Sequence, residues 1–144
     1  MFVRNMVVAD MSALSELYCQ FWDEPSNVQK MNDTFSRLHQ NNSYIFLCAI
    51  DGNQLVGSVM GIICEELYGE CQPFLVVENM VVDRNHRKRG IGRLLFEELE
   101  QKAKNKGCTQ IILVTETVRK DACGFYESLG FNPISNKGYK KKLK

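Results

Sequence analysis

The sequence lacks most features that would assign a protein at a glance. No stretch approaches the roughly 18 apolar residues needed to span a bilayer, so nothing in these 144 residues points to a membrane segment. "MFVRNMVVADMSALSEL" has no long apolar run and no cleavage-type site, and no targeting signal is expected from it. No repeat, low-complexity tract or Pro/Gly-rich linker interrupts the chain, so residues 1–144 read as a single domain. An excess of one charge is also missing: 18 Lys and Arg face 17 Asp and Glu, for a formal net charge of +1. A whole-surface attraction to nucleic acid or to anionic lipid is therefore not indicated, and any anion site must be local.

Metal chemistry is short of ligands. The six cysteines (Cys19, Cys48, Cys64, Cys71, Cys108 and Cys123) are scattered without a CxxC pair, and only His39 and His86 could join them. No zinc site is expected. Dispersed cysteines in apolar runs read as reduced core residues, which suggests a cytoplasmic protein.

What is present is a 44% hydrophobic, 24% charged chain with enough apolar material for a real core. "FVRNM" at 2–6 is a strand candidate. Leu14, Leu17, Tyr18 and Phe21 then fall at helical spacing, as do Val28, Met31, Phe35 and Leu38. "SYIFLCAI" and "QLVGSVMGIIC" flank "DGN", a hairpin signature. "PFLVVENMVV" at 73–82 is a strong strand, and a helix follows with Ile91, Leu94, Leu95, Leu99 and Ala103 on one face. "TQIILVT" at 109–115 predicts a strand covered on both faces, "RKDACGFYESLG" a short helix, and "FNPI" and "GYKKKL" a last pair of strands. The order β-α-α-β-β-β-α-β-α-β-β implies an α/β fold with a mixed sheet and one right-handed β-α-β crossover.

The stretch "DRNHRKRGIGRLLFEELEQKAKNKG" (83–107) is odd at its start. A helix N-terminus carries partial positive charge and favours Asp, Ser, Thr or Asn. Here it is ringed by Arg87, Lys88, Arg89 and Arg93, with glycines at 90 and 92. Each misplaced exposed charge costs about 0.3–1 kcal/mol. A phosphate or pyrophosphate would reverse these penalties, though a solvated basic loop remains open at this point. The two commonest nucleotide loops are excluded: no G-x-x-x-x-G-K-[ST] occurs, and Gly92-Arg93-Leu94 is followed by Leu95 where a dinucleotide fingerprint needs glycine.

"RKRGIG" (Arg87 to Gly92), directly after the strand "ENMVVD", resembles the R/Q-x-x-G-x-G/A signature of the GNAT N-acetyltransferase superfamily. "ACGFYESLGF" (Ala122 to Phe131) is similar to that family's second signature, A-x-x-F-Y-x-x-x-G-F, and the order of elements agrees. The resemblance implies the GNAT fold, a mostly antiparallel sheet with a splayed parallel strand pair and flanking helices. It implies acetyl-coenzyme A as co-substrate, with no metal. Its pyrophosphate would rest on the amides of Arg87, Lys88, Arg89, Gly90, Ile91, Gly92 and Arg93. Its pantetheine arm would pair along Met80, Val81 and Val82, after a strand bulge that the polar pair Glu78-Asn79 accommodates. Arg119 stands where many relatives carry an asparagine that contacts the coenzyme, which changes the form of that contact.

The implied reaction is direct attack of an amine on the acetyl thioester in a ternary complex, through a tetrahedral intermediate. Glu78, expected to be partly buried beside the acetyl group, is the candidate base, acting through water, with a wet-face carboxylate as the bland alternative. Tyr126 matches the second motif's tyrosine and is the candidate acid for the leaving thiolate, against a merely packed aromatic. A covalent Cys123 route is disfavoured because no histidine accompanies it. Glu65, Glu66, Glu70, Asp23 and Glu24 at the acceptor mouth would draw in a cationic small-molecule amine, and Trp22, Tyr68 or Phe35 would line its apolar stem; an ordinary solvated acidic loop and a protein amino group are the alternatives. Two further classes compete: a non-catalytic acyl-CoA-binding module, and a nucleic-acid binder, which the charge balance disfavours. Relatives often dimerise, and the C-terminal strands could supply the interface.

Overall fold

The computed structural model describes residues 1–144, which divide into two compact units, Met1–Ile112 and Leu113–Lys144. The first unit carries five strands: β1 (Phe2–Asn5), β2 (Tyr44–Asp51), β3 (Gln54–Cys64), β4 (Phe74–Val82) and β5 (Ile111–Ile112). They lie side by side in chain order. The first four pair antiparallel, and β5 pairs parallel with β4. Helices α1 (Met11–Cys19), α2 (Val28–Leu38) and α3 (Ile91–Asn105) pack on this sheet. The mixed α/β architecture is the one expected.

Residues two apart on a strand share a face, and β3 sorts its neighbours accordingly. Gly57 and Gly61 turn toward α3: a Cβ at 61 would sit 2.7 Å from Leu99 Cδ1, and one at 57 would sit 3.0 Å from Ile91 Cγ2. The helix rests on the bare backbone there, with Ile91, Leu95, Phe96, Leu99 and Ala103 buried. Phe96 joins the stripe read from the sequence, and Leu94 is half-buried. The other face meets α1 and α2 through a cluster that includes Met6, Met11, Leu14, Leu17, Phe35 and Val81. Asn27 caps α2, its Oδ1 accepting from Lys30 N at 3.0 Å.

Several expected strands are shorter or absent. Of the run 109–115 only Ile111 and Ile112 form a strand, paired with Leu75 and Val76. That run is not covered on both faces either, since Ile112 and Val114 are exposed. Apolar content marks which residues could be buried; the covering layer must come from elsewhere. In the second unit, α4 (Lys120–Ser128) ends at Gly130, whose φ is 93°. "FNPI" and "GYKKKL" form no strands, and Ile134, Tyr139 and Leu143 are exposed. Asn132 Oδ1 instead accepts from the amides of Ile134 (2.8 Å) and Ser135 (3.0 Å). This local turn takes up backbone donors that a ladder would need, and Pro133 has none to give.

Candidate active site

The site begins with a fault in β4. Met60 pairs with Glu78 and Ser58 with Val81, so Val59 faces both Asn79 and Met80. This extra residue is a β-bulge, and Asn79 absorbs it in the left-handed region with φ 51°. Asparagine tolerates that conformation better than the valines around it would. The bulge lies where the GNAT resemblance implied it, at the polar pair Glu78-Asn79. Pairing of β4 with β5 stops at Val76, so the outer edge of β4 from Val77 to Val82 has no strand partner in the first unit.

Beyond β4 the chain makes a short 3-10 turn, Arg84–His86, and enters α3 through Gly90. Lys88 (φ 60°) and Gly90 (φ 80°) are both left-handed, a geometry that turns successive amides into a concavity. Gly90 offers no capping side chain, and a Cβ there would meet nothing within 4 Å. The first intrahelical bond runs from Leu94 N to Gly90 O at 3.0 Å, so the amides of Ile91 and Gly92 have no partner within the helix. The pyrophosphate arm of coenzyme A fits this cradle: open space, donor amides and nearby cations.

Side chains distant in sequence hold the loop. Asp83 is buried, and its carboxylate accepts from Gln20 Nε2 (2.6 Å), His86 Nδ1 (2.7 Å) and Asn85 N (2.9 Å). The Gln20 bond, then that from His86, holds the Asp83 carboxyl below the usual range. Gln20 also accepts from Arg84 N at 2.9 Å, while the Arg84 guanidinium donates to its carbonyl. Arg89 lies 3.3 Å from Asp51 at the β2–β3 hairpin. Arg87 places its guanidinium 5.0 Å from the centre of the Phe21 ring.

On the face opposite α3, α1, α2 and the sheet line an open cavity of about 650 Å³. Its wall includes Tyr18, Trp22, Met60 and Asn79, so it reaches the bulge. Directly opposed residues share a sheet face, so Glu78 points to the same side as its partner Met60. Glu78 is exposed there, not partly buried as expected. Tyr18 joins the site although the sequence gave it no role beyond the α1 stripe, and Asn79, noted only for the bulge, lines the cavity too. Burial pushes the Tyr18 phenol up, with Ser58 and Asn79 beside it pulling the other way. The Ser58 hydroxyl is nonetheless buried without a hydrogen bond of ordinary geometry.

The remaining expected residues are dispersed. Of the acceptor set, Trp22, Glu24 and Phe35 border the cavity. Glu65, Glu66 and Tyr68 lie in the connection after β3, with Tyr68 83% exposed. In the second unit, Arg119 precedes α4 and is exposed, and Tyr126 lies within α4 with its ring 5.3 Å from Phe125 and 5.9 Å from Phe131. No group of three or more His, Cys, Asp or Glu side chains is placed to hold a metal ion. No helix is long and apolar enough to cross a membrane.

A left-handed bulge on β4 leads to an uncapped, cation-ringed helix, the arrangement that the GNAT resemblance implied. The acetyltransferase (GNAT) family profile matches residues 11–131, and the chain belongs to that family. A similar curated protein is glucosamine 6-phosphate N-acetyltransferase of Trypanosoma brucei brucei, 27% identical over 131 residues, 90% of this chain and 87% of that one. Human N-acetyltransferase 8 is 36% identical over 53 residues, 37% of this chain and 23% of its own length. The first curated relatives matched are thus spanned over a quarter (23%) to about half (56%) of their lengths. The fold is shared with glucosamine-6-phosphate N-acetyltransferase from Arabidopsis thaliana, at TM-score 0.84 and 20% identity over 96% of each chain.

Proposed function

We propose that the chain moves the acetyl group of acetyl-coenzyme A to the primary amine of a cationic small molecule, by direct attack in a ternary complex. The observation that carries this is the Asn79 bulge opening β4 just ahead of the uncapped α3 N-terminus, inside a family match. The coenzyme supplies an activated thioester; the chain binds, orients and moves protons.

The amides of Arg87 to Arg93 hold the pyrophosphate, with Arg87, Lys88, Arg89 and Arg93 adding charge. The free edge of β4 at Met80, Val81 and Val82 takes the pantetheine arm, and the Met80 N–H polarises the thioester carbonyl. Arg119 adds a polar contact to the coenzyme. Glu78 accepts the ammonium proton through water, a role suited to an exposed carboxylate on the cavity face. Tyr126 donates a proton to the leaving thiolate. Trp22 borders the acceptor, while Glu65, Glu66 and Tyr68 attract it from the loop after β3. Residues 1–144 act as one functional domain in the cytoplasm, where six free cysteines stay reduced. A homodimer is compatible with this, and exposed Ile134, Tyr139 and Leu143 offer it apolar surface.

The test is thiol release from acetyl-coenzyme A across an amine panel, with wild type, Glu78→Gln and Tyr126→Phe compared and coenzyme affinity measured by calorimetry. Both variants should bind coenzyme normally and turn over at least ~100-fold more slowly. Tight coenzyme binding without thiol release from any amine would instead favour a non-catalytic acyl-CoA module.

A further inference from the structure

The cavity that reaches the bulge is lined in an unexpected way for a site receiving an amine. Four of the chain's six methionines line it: Met6, Met11, Met31 and Met60. Phe35 and Phe46 join them, their ring centroids 5.2 Å apart and edge to face. Thioethers on unbranched stems adapt to irregular apolar shapes and make favourable contacts with aromatic rings. The volume, about 650 Å³, is that of a small-molecule site.

The charged lining selects against the obvious alternatives. Only Glu24 and Lys30 carry charge in it, and their formal charges cancel. A polyamine or aminoglycoside would need several carboxylates around it, whereas this wall has one. A sugar phosphate would need clustered cations or open helix amides. Lys30 is a single cation, and its own amide at the start of α2 is already taken by Asn27 Oδ1.

We propose that the acceptor is a monoamine carried on an apolar aryl or alkyl body. The body lies among the methionine and phenylalanine side chains, and the amino group faces Asn79 and the bulge. This rests on the acetyl-transfer reading. In the step, the ammonium first loses one proton. The nitrogen then bonds to the acetyl carbonyl carbon as the carbon–sulfur bond breaks. The nitrogen gives up a second proton and the departing thiolate takes one, so amide, free thiol and one released proton result.

Trp22, the chain's single tryptophan, borders this cavity and sits edge-on to Tyr18 at 5.2 Å. Its emission reports occupancy without any turnover. We would titrate 2-phenylethylamine, spermidine and glucosamine 6-phosphate into the coenzyme-free protein and into Met31→Lys. 2-Phenylethylamine should shift the emission saturably and bind at least tenfold more tightly than either comparator, a difference of ~1.4 kcal/mol. Met31→Lys should weaken it by a similar factor while calorimetric affinity for acetyl-coenzyme A is retained. An unchanged emission with 2-phenylethylamine, or equal or tighter binding of a comparator, would overturn the proposal. Thiol release separates the two readings. A saturable response with no thiol release overturns acetyl transfer and the acceptor role with it. Preferred turnover of spermidine or glucosamine 6-phosphate overturns the substrate class and leaves acetyl transfer standing.

Discussion

His86 donates from Nδ1 to Asp83 Oδ1 at 2.7 Å and places its Nε2 3.9 Å from Asp51 Oδ2. The imidazole thereby stands between the end of β4 and the β2–β3 hairpin, under the loop that leads to α3. Asp83 is the firmer partner, because it is buried and Gln20 approaches its other oxygen.

Asp83 therefore links the loop to acid stability. Its folded value is depressed, so its contribution is complete above the unfolded carboxylate value of about 3.9 and is lost as pH falls through the lower folded value. Asp83→Asn should lower the melting temperature at pH 7, and the gap from wild type should close in strong acid. Thermal melts across pH check this. His86→Ala should also weaken coenzyme binding, read by calorimetry, because the loop loses its central support.

Gly61 should not accept a side chain. Its Cβ would press on Leu99 at 2.7 Å and on Leu75 at 3.0 Å, both fully buried. Gly61→Ala should destabilise by about 1–3 kcal/mol, as overpacking does. Gly57→Ala lies under Ile91 at the start of α3, so it should weaken coenzyme binding as well. Denaturant melts and calorimetry separate the two effects.

Gly90 presents the opposite case, since space around it is open and only its φ of 80° is demanding. Gly90→Ala should cost about 1–2 kcal/mol from backbone strain alone. Gly90→Asn should cost less, because asparagine visits that region more readily. Coenzyme affinity should fall in the order glycine, asparagine, alanine.

The cysteines should react unequally. Cys48 is fully buried, its Sγ is 3.9 Å from Asp10 Oδ2, and burial pushes its thiol up to about 11. Cys19 and Cys71 are exposed. Iodoacetamide followed by mass spectrometry should label Cys19 and Cys71 in the native protein, and Cys48 only after unfolding.

Much of this protein could be read one segment at a time. Alternation and 3.6-residue spacing placed β1 to β4 and α1 to α3, because both periodicities belong to a single element and need no partner. The cation-ringed glycines at 90 and 92 marked an unusual helix entrance, since helix ends have fixed electrostatic preferences. The bulge came from the family resemblance, and the polar interruption at Glu78 and Asn79 was compatible with it.

The failures share a cause. "GYKKKL" alternates like a strand, but a strand exists only when a neighbour completes its ladder, and its expected partner "FNPI" is taken up by the Asn132 turn. Gln20 lies 63 residues before Asp83, and no spacing rule links a helix end to the loop it secures. The cavity is likewise a property of α1, α2 and the sheet together. Dihedral preference and side-chain period act over a few residues, so they specify the elements and the uncapped, cation-ringed entrance to α3. Which faces meet, what lies exposed between them and which methionines share a wall depend on packing between distant segments, and only the folded chain decides those.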